Sequence, residues 1–233
     1  MRIGILNAIT PAEETTIQTT EWDSFRAFFG LTPHELTLVE YRITEGEFPP
    51  TLTECDAYLI TGSPQGVYDS APWLPQLAEF IWACYNTQKK LVGICFGHQM
   101  LAHTLGGHAQ KADQGWGMGL RKFDVVCNQP WMEPPLAQGA LYFCHQDQVV
   151  KLPAGAERLA GDDFCPNTMF AIGQQVLGIQ GHPEFSQSFM QGLIHQLQPQ
   201  VGSEIAQKAA ASLAHDAADN AVIAHWVTNF LKQ

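Results

Sequence analysis

The chain has 233 residues, 45% of them hydrophobic and 15% charged, with 12 basic against 23 acidic side chains and a net charge of −11. That length and balance suit one α/β domain with a sizeable core. With no block of Lys and Arg, the acidity serves solubility and argues against a nucleic-acid or anionic-membrane partner.

In chain order, "RIGIL" (2–6) reads as a short buried strand, and "EWDSFRAFFG" (21–30) has helical spacing with Gly30 placed to cap its end. "ELTLVEYRI" (35–43) alternates and is rich in β-branched and aromatic residues, as a strand is. "AYLITG" (57–62) is a third strand running into a Gly/Ser/Pro turn, and "WLPQLAEFIWACYNTQ" (73–88) an amphipathic helix with Pro75 in its first turn. "KLVGI" (90–94) is a fourth strand, followed at once by the helix "FGHQMLAHTLGG". Strands alternating with helices predict an open, mostly parallel sheet covered on both faces. From about residue 108 the short segments "GLRKFDVV", "ALYFCHQDQVV", "AERLAG", "TMFAIG" and "QVLGIQ" crowd together between turns, which predicts an antiparallel or mixed extension of that sheet. Two helices are expected to close the chain, over 186–198 and over 203–233, the second broken near Asp216. With no repeat, low-complexity tract or linker, the expectation is a single domain over residues 1–233.

The six cysteines (Cys55, Cys84, Cys95, Cys127, Cys144 and Cys165) are scattered without a CxxC pair. In a chain this long that favours reduced thiols in a cytoplasmic compartment. The start "MRIGILNAIT" lacks the apolar segment and cleavage site of a signal peptide, and no apolar run reaches bilayer-spanning length. Five of the cysteines read as packing residues.

Cys95 is the exception. In "GICFG" (93–97) it stands between an apolar strand and a helix start, the arrangement of a nucleophile elbow. A helix N-terminus carries partial positive charge and unpaired N–H groups, which favour thiolate over thiol. The flanking glycines are expected to permit strained dihedrals and close approach of a substrate. The competing reading is a buried Cys at a tight strand-to-helix joint. "LGIQGHPEF" (177–185) offers what a thiolate needs: His182 and Glu184, two apart after an apolar strand, point the same way in extended geometry, so the carboxylate can orient the imidazole. "LITGSPQGVYD" (59–69) places a turn at the carboxyl end of a strand, where α/β sheets bind ligands, and its N–H groups can form an oxyanion hole with that of Phe96. A phosphate loop is disfavoured there, since neither GK[ST] nor G-x-G-x-x-G is present. His98, His103 and His108 share one segment, but spacings of five do not stack on a helix face, so no metal is expected.

Together "GICFGHQ", "GHPEF", "ITGSPQ" and "CHQDQV" resemble the class I, triad-type glutamine amidotransferase family, from about residue 1 to residue 195, with the closest likeness to its free-standing, GMP-synthase-like branch. The resemblance implies an α/β fold with an open mixed sheet, flavodoxin-like in class. It also implies hydrolysis of the γ-amide of glutamine, or of a γ-glutamyl compound, through a covalent γ-glutamyl-enzyme. Carried over by residue, Cys95 resembles the nucleophile, His182 the general base and acid, and Glu184 its orienter. Ser63 and Phe96 resemble the oxyanion donors. Gly62, Gln99, His145, Gln146 and Asp147 resemble the substrate-binding residues. No cofactor is implied. The implied partners are the small-molecule substrate and a separate synthetase subunit, since the chain lacks SGGxDS and Walker A signatures of its own. Three positions depart from the pattern: Ser63 and Gln146 stand where Gly is common, and Gly117 where "RGWE" would place a carboxylate. Two rival readings are a non-catalytic regulatory or binding module that keeps the fold, and a DJ-1/PfpI-like protein with a Cys elbow. The downstream His-Pro-Glu and the spacing of Gln99 favour the amidotransferase.

Overall fold

A computed structural model describes residues 1–14, 20–214 and 216–233. Nine strands form one sheet, made of β1 (Arg2–Asn7), β2 (Thr37–Arg42), β3 (Ala57–Ile60), β4 (Lys90–Ile94), β6 (Gly117–Val125), β7 (Gln138–His145), β9 (Ala156–Gly161), β10 (Met169–Ile172) and β11 (Val176–Ile179). The order is β2-β1-β3-β4-β11-β10-β9-β6-β7. The pairings from β2 to β11 are all parallel, and those from β11 to β7 all antiparallel. Only β10 and β6 therefore run against the rest, so the sheet is mixed but mostly parallel, as the sequence predicts.

Three helices precede the second half of the chain: α2 (Glu21–Gly30), α3 (Trp73–Asn86) and α4 (Phe96–Thr104), after a single turn α1 (Pro11–Glu14). Three follow it: α5 (Gln187–Val201), α6 (Ser203–Ser212) and α7 (Asn220–Lys232). Alternation along the strands divides the core. Ile3, Ile5, Leu59, Val92 and Ile179 face Phe25, Phe28 and Phe29 of α2 and Trp226 and Phe230 of α7. Leu6, Tyr58, Ile60 and Leu91 face Leu77 and Ile81 of α3 and Phe96 and Leu101 of α4. A third cluster joins Met118, Leu120, Ala140 and Tyr142 of β6 and β7 to Met190 and Ile194 of α5 and Ala206 and Ala209 of α6.

Two of the helices start on a capping side chain. Thr20 accepts a hydrogen bond from the Asp23 N–H at the head of α2, and Ser186 accepts one from Phe189 at the head of α5. Gly30 does not cap α2 as predicted. It is the last helical residue, and Leu31 closes the helix in a right-handed conformation. "ALYFCHQDQVV" is not one strand. The chain turns at Gln146, and β8 (Asp147–Lys151) leaves the main sheet to pair with β5 (His108–Lys111), a strand too short and too exposed to stand out in the sequence. The helix expected over 203–233 is broken around Asp216 as anticipated, into α6 and α7, and its His215 lies outside the described residues.

β4 is central, flanked by β3 and β11, and all three run parallel. Their carboxyl ends therefore emerge side by side on one edge, about 5 Å apart from strand to strand. Residues following each strand (Thr61 to Ser63, Cys95, and Gln180 to His182) are brought together by that register.

Candidate active site

Cys95 has φ 51° and ψ −102°, one of two non-glycine residues with positive φ among those described. The conformation costs about 1–3 kcal/mol and persists only where its surroundings impose it. Cys95 N–H donates to Ile179 O at 2.8 Å, Gln99 N–H to Cys95 O at 3.0 Å, and Gly97 N–H to Thr61 O at 3.1 Å, which together pin the turn from β4 into α4. The two glycines act differently from the expectation. Neither carries the strained dihedral, which falls on the cysteine itself. A Cβ on Gly93 would run into the Gly97 backbone, and one on Gly97 into the Ile60 carbonyl, so they let α4 start against β4 and β3. Gly93→Ala is accordingly expected to lower unfolding stability by more than about 2 kcal/mol, the range for overpacking against rigid backbone. Denaturant titration reads this directly.

His182 Nδ1 and Glu184 Oε1 lie 2.7 Å apart, with both side chains buried. The His182 N–H bonds Tyr142 O at 2.7 Å, and its ring stacks on Phe185 with centroids 4.0 Å apart and planes 7° apart. Burial disfavours the charged imidazole, but Glu184 and Cys95, by charge and by hydrogen bonding, hold its pKa well above the ordinary value. Gly62 faces this pair, and a Cβ on it would sit 3.0 Å from His182 Cε1. Ser63 does not have positive φ, so serine stands in place of the common glycine without backbone strain. Phe96 is fully buried, and its N–H is the first of α4, so no carbonyl of the helix can receive it.

Two cavities meet at Cys95. One, of about 280 Å³, is lined by Ser63, Gln99, Lys111, His145, Gln146 and Asp147, together with Cys95, Cys144 and Trp116. The other, of about 250 Å³, lies on the side of His182. Of the expected site residues, Gly62, Ser63, Cys95, Gln99, His145, Gln146, Asp147 and His182 line one or both of these spaces, while Glu184 stands behind His182 and Phe96 is in neither lining.

Several contacts differ from what the residues alone suggest. Gln99 spends its amide donors within the protein, on Asp147 O at 2.8 Å and Gln180 Oε1 at 3.2 Å. Gln180, fully buried and not singled out in the sequence, donates in turn toward Cys95 Sγ at 3.6 Å. His145 donates from Nδ1 to Asp147 O at 3.0 Å, and burial lowers its pKa to about 3, so it is neutral. A Cβ on Gly117 would lie 2.8 Å from Phe164 and 2.9 Å from His145 Nε2. The missing carboxylate at Gly117 therefore goes with a ring arrangement that leaves it no room. Cys144 was expected to be packing, but it lines both cavities beside Cys95. Among the described residues, no group of three or more His, Cys, Asp or Glu side chains is placed to hold a metal ion, and no helix is long and apolar enough to cross a membrane.

Glu21 had no signal in the sequence, where the first residue of a helix is ordinarily solvated. It is buried, lines the second cavity, and faces Glu184 and His182. Burial and the Glu184 charge push its pKa to about 8, against the opposing pull of His182 and the Gly62 N–H. A carboxyl whose folded pKa is raised binds more protons folded than unfolded between about pH 4.5 and pH 8, so stability falls as pH rises through that window. Glu21→Gln removes the proton-binding difference. The variant's stability relative to the parent is expected to increase from pH 5 to pH 8, measured by denaturation at both.

A sequence profile of the family described as Glutamine amidotransferase class-I matches residues 29–196. Gamma-glutamyl peptidase 3 of Arabidopsis thaliana is 32% identical over 203 residues, covering 82% of this chain and 81% of that protein. The glutamine-hydrolyzing GMP synthase of Porphyromonas gingivalis is 32% identical over 149 residues, covering 61% of this chain but 27% of the larger protein. The crystal structure of a glutamine amidotransferase from Thermotoga maritima superposes with a TM-score of 0.75 at 19% identity, across 100% of this chain and 98% of that one, a likeness of fold.

Proposed function

Because the chain belongs to the class-I glutamine amidotransferase family, we propose that it hydrolyses the γ-amide bond of glutamine or of a γ-glutamyl compound, with Cys95 as nucleophile. The observation that carries this is the strained Cys95 turn beside the His182–Glu184 pair, at the shared edge of β4 and β11. The Cys95 thiolate adds to the γ-carbonyl, and the oxyanion is received by the N–H groups of Phe96 and Ser63, each worth about 3 kcal/mol when well placed. The imidazolium of His182 gives its proton to the departing nitrogen, the C–N bond breaks, and ammonia or an amine leaves a γ-glutamyl thioester. Neutral His182 then takes a proton from water, which adds to the thioester. Collapse releases glutamate and returns the thiolate–imidazolium pair. Glu184 orients the imidazole throughout. The polar cavity, with His145, Gln146 and Asp147, receives the amino-acid end of the substrate, and Gln99 shapes it through Asp147.

The matched peptidases favour release to water by a single unit spanning the chain, and the matched synthases favour delivery of ammonia to a synthetase. The geometry at Cys95 suits the first, because the turn is fixed by internal hydrogen bonds. The test is release of glutamate from glutamine and γ-glutamyl peptides by purified protein, with and without cell extract. Turnover without extract supports a self-sufficient hydrolase. Turnover only with extract makes the protein a synthetase-dependent subunit.

A further inference from the structure

The cavity on the His182 side has an apolar wall that the hydrolytic chemistry leaves unused. Phe189, Leu193 and Leu197 recur at four-residue spacing on α5, so they stack along one face of that helix. They are only partly buried, Trp116 belongs to the same cluster, and all four line the cavity. Phe185, stacked on His182, joins this wall to the general acid. Of the described lining residues, the acidic ones are Glu13 and Glu21, and none is Lys or Arg. The other cavity has the opposite character, with Gln99, His145, Gln146, Asp147 and the cation Lys111.

A γ-glutamyl substrate attacked at Cys95 has two ends. With its zwitterionic amino-acid end in the polar cavity, the departing amine points toward His182, which must protonate it, and so into the apolar cavity. We infer, on the basis of the γ-glutamyl hydrolase reading above, that the preferred substrates are γ-glutamyl amides of apolar amines carrying no carboxylate, with the amine portion lying along α5. Free glutamine would leave the wall of α5 uncovered. A γ-glutamyl amino acid would bring its own carboxylate beside Glu13 and Glu21 in a lining that offers no Lys or Arg, where the His182 imidazolium is already held by Glu184. Glu21 reports how this space treats negative charge, since its own carboxyl is held largely protonated at neutral pH.

The experiment compares kcat/KM for three substrates with the purified full chain: glutamine, γ-glutamylphenethylamide and γ-glutamylphenylalanine. The last two differ only by a carboxylate on the amine side. The phenethylamide is expected to exceed both others by at least about tenfold, within the range apolar pockets and unpaired charges discriminate. In Leu193→Lys, a cation at a half-exposed position should lower the ratio of phenethylamide to phenylalanine substrate by about fivefold or more. Equal rates for that pair, or glutamine ahead of the phenethylamide, would overturn the inference. A separate arm labels the protein with 6-diazo-5-oxo-L-norleucine, which reports only the amino-acid end and the nucleophile. Labelling at Cys95 without the stated preference, or without turnover of the phenethylamide, rejects the inference and leaves the hydrolase reading standing. Absence of labelling rejects the hydrolase reading and the inference with it.

Discussion

Cys95→Ala is expected to lose amide hydrolysis by more than about 10⁴-fold while keeping the fold, because on the proposed mechanism the removed atom is the one that bonds the substrate. The loss should appear in kcat, measured as glutamate release, with circular dichroism unchanged. The backbone at this residue supplies a second, independent readout. Alanine at φ 51° keeps the strain that cysteine bears, whereas glycine relieves it. Cys95→Gly is therefore expected to be as inactive as Cys95→Ala and more stable than it by about 1 kcal/mol or more. Substantial turnover by either folded variant would remove Cys95 from the chemistry. Equal stability of the two would mean that the turn is not under strain.

His182→Ala should cost nearly as much activity as loss of the thiol, since on the proposed mechanism its imidazole is the group that protonates the leaving nitrogen. Glu184→Gln should cost less, on the order of 10²–10⁴-fold, because the proton carrier remains and only its orientation and charge are disturbed. The pH profile separates these roles. His182 keeps its proton above the ordinary range against the cost of burial, and Glu184 is the leading cause. A raised histidine stays charged as pH rises until its folded pKa is passed, so activity that needs the imidazolium falls on the alkaline side. Removing the Glu184 charge lowers that pKa, and the alkaline limb of kcat/KM should move to lower pH in Glu184→Gln. A larger loss in Glu184→Gln than in His182→Ala, or an unmoved limb, would mean the roles are misassigned.

What could be read from the sequence was whatever a short stretch determines by itself. The strands at 90–94 and 156–161 match the sequence reading to the residue, and "GICFG" and "GHPEF" each mark where a segment of the site lies. What escaped depends on distant partners. The turn at Gln146 divides two strands between different sheets, a choice set by β5 some forty residues earlier in the chain. Glu21 and Gln180 owe their surroundings to packing against Glu184 and Gln99, which no local pattern encodes. The glycines at 93 and 97 were visible, but their purpose was not. Steric contact between α4 and the ends of β3 and β4 only exists once those strands are side by side.

The placement of β11 next to β4 also sets an order of assembly. Strands β1 to β4 pair with neighbours close to them in the chain, whereas Gln180 and Cys95 meet across 85 residues of sequence. Closing a loop of that length costs more chain entropy than the shorter closures, which favours the local contacts forming first. A nascent polypeptide therefore presents the Cys95 sulfur before it possesses the imidazole that, on the proposed mechanism, activates it. On the proposed mechanism, hydrolysis then waits for the strand that completes the centre of the sheet.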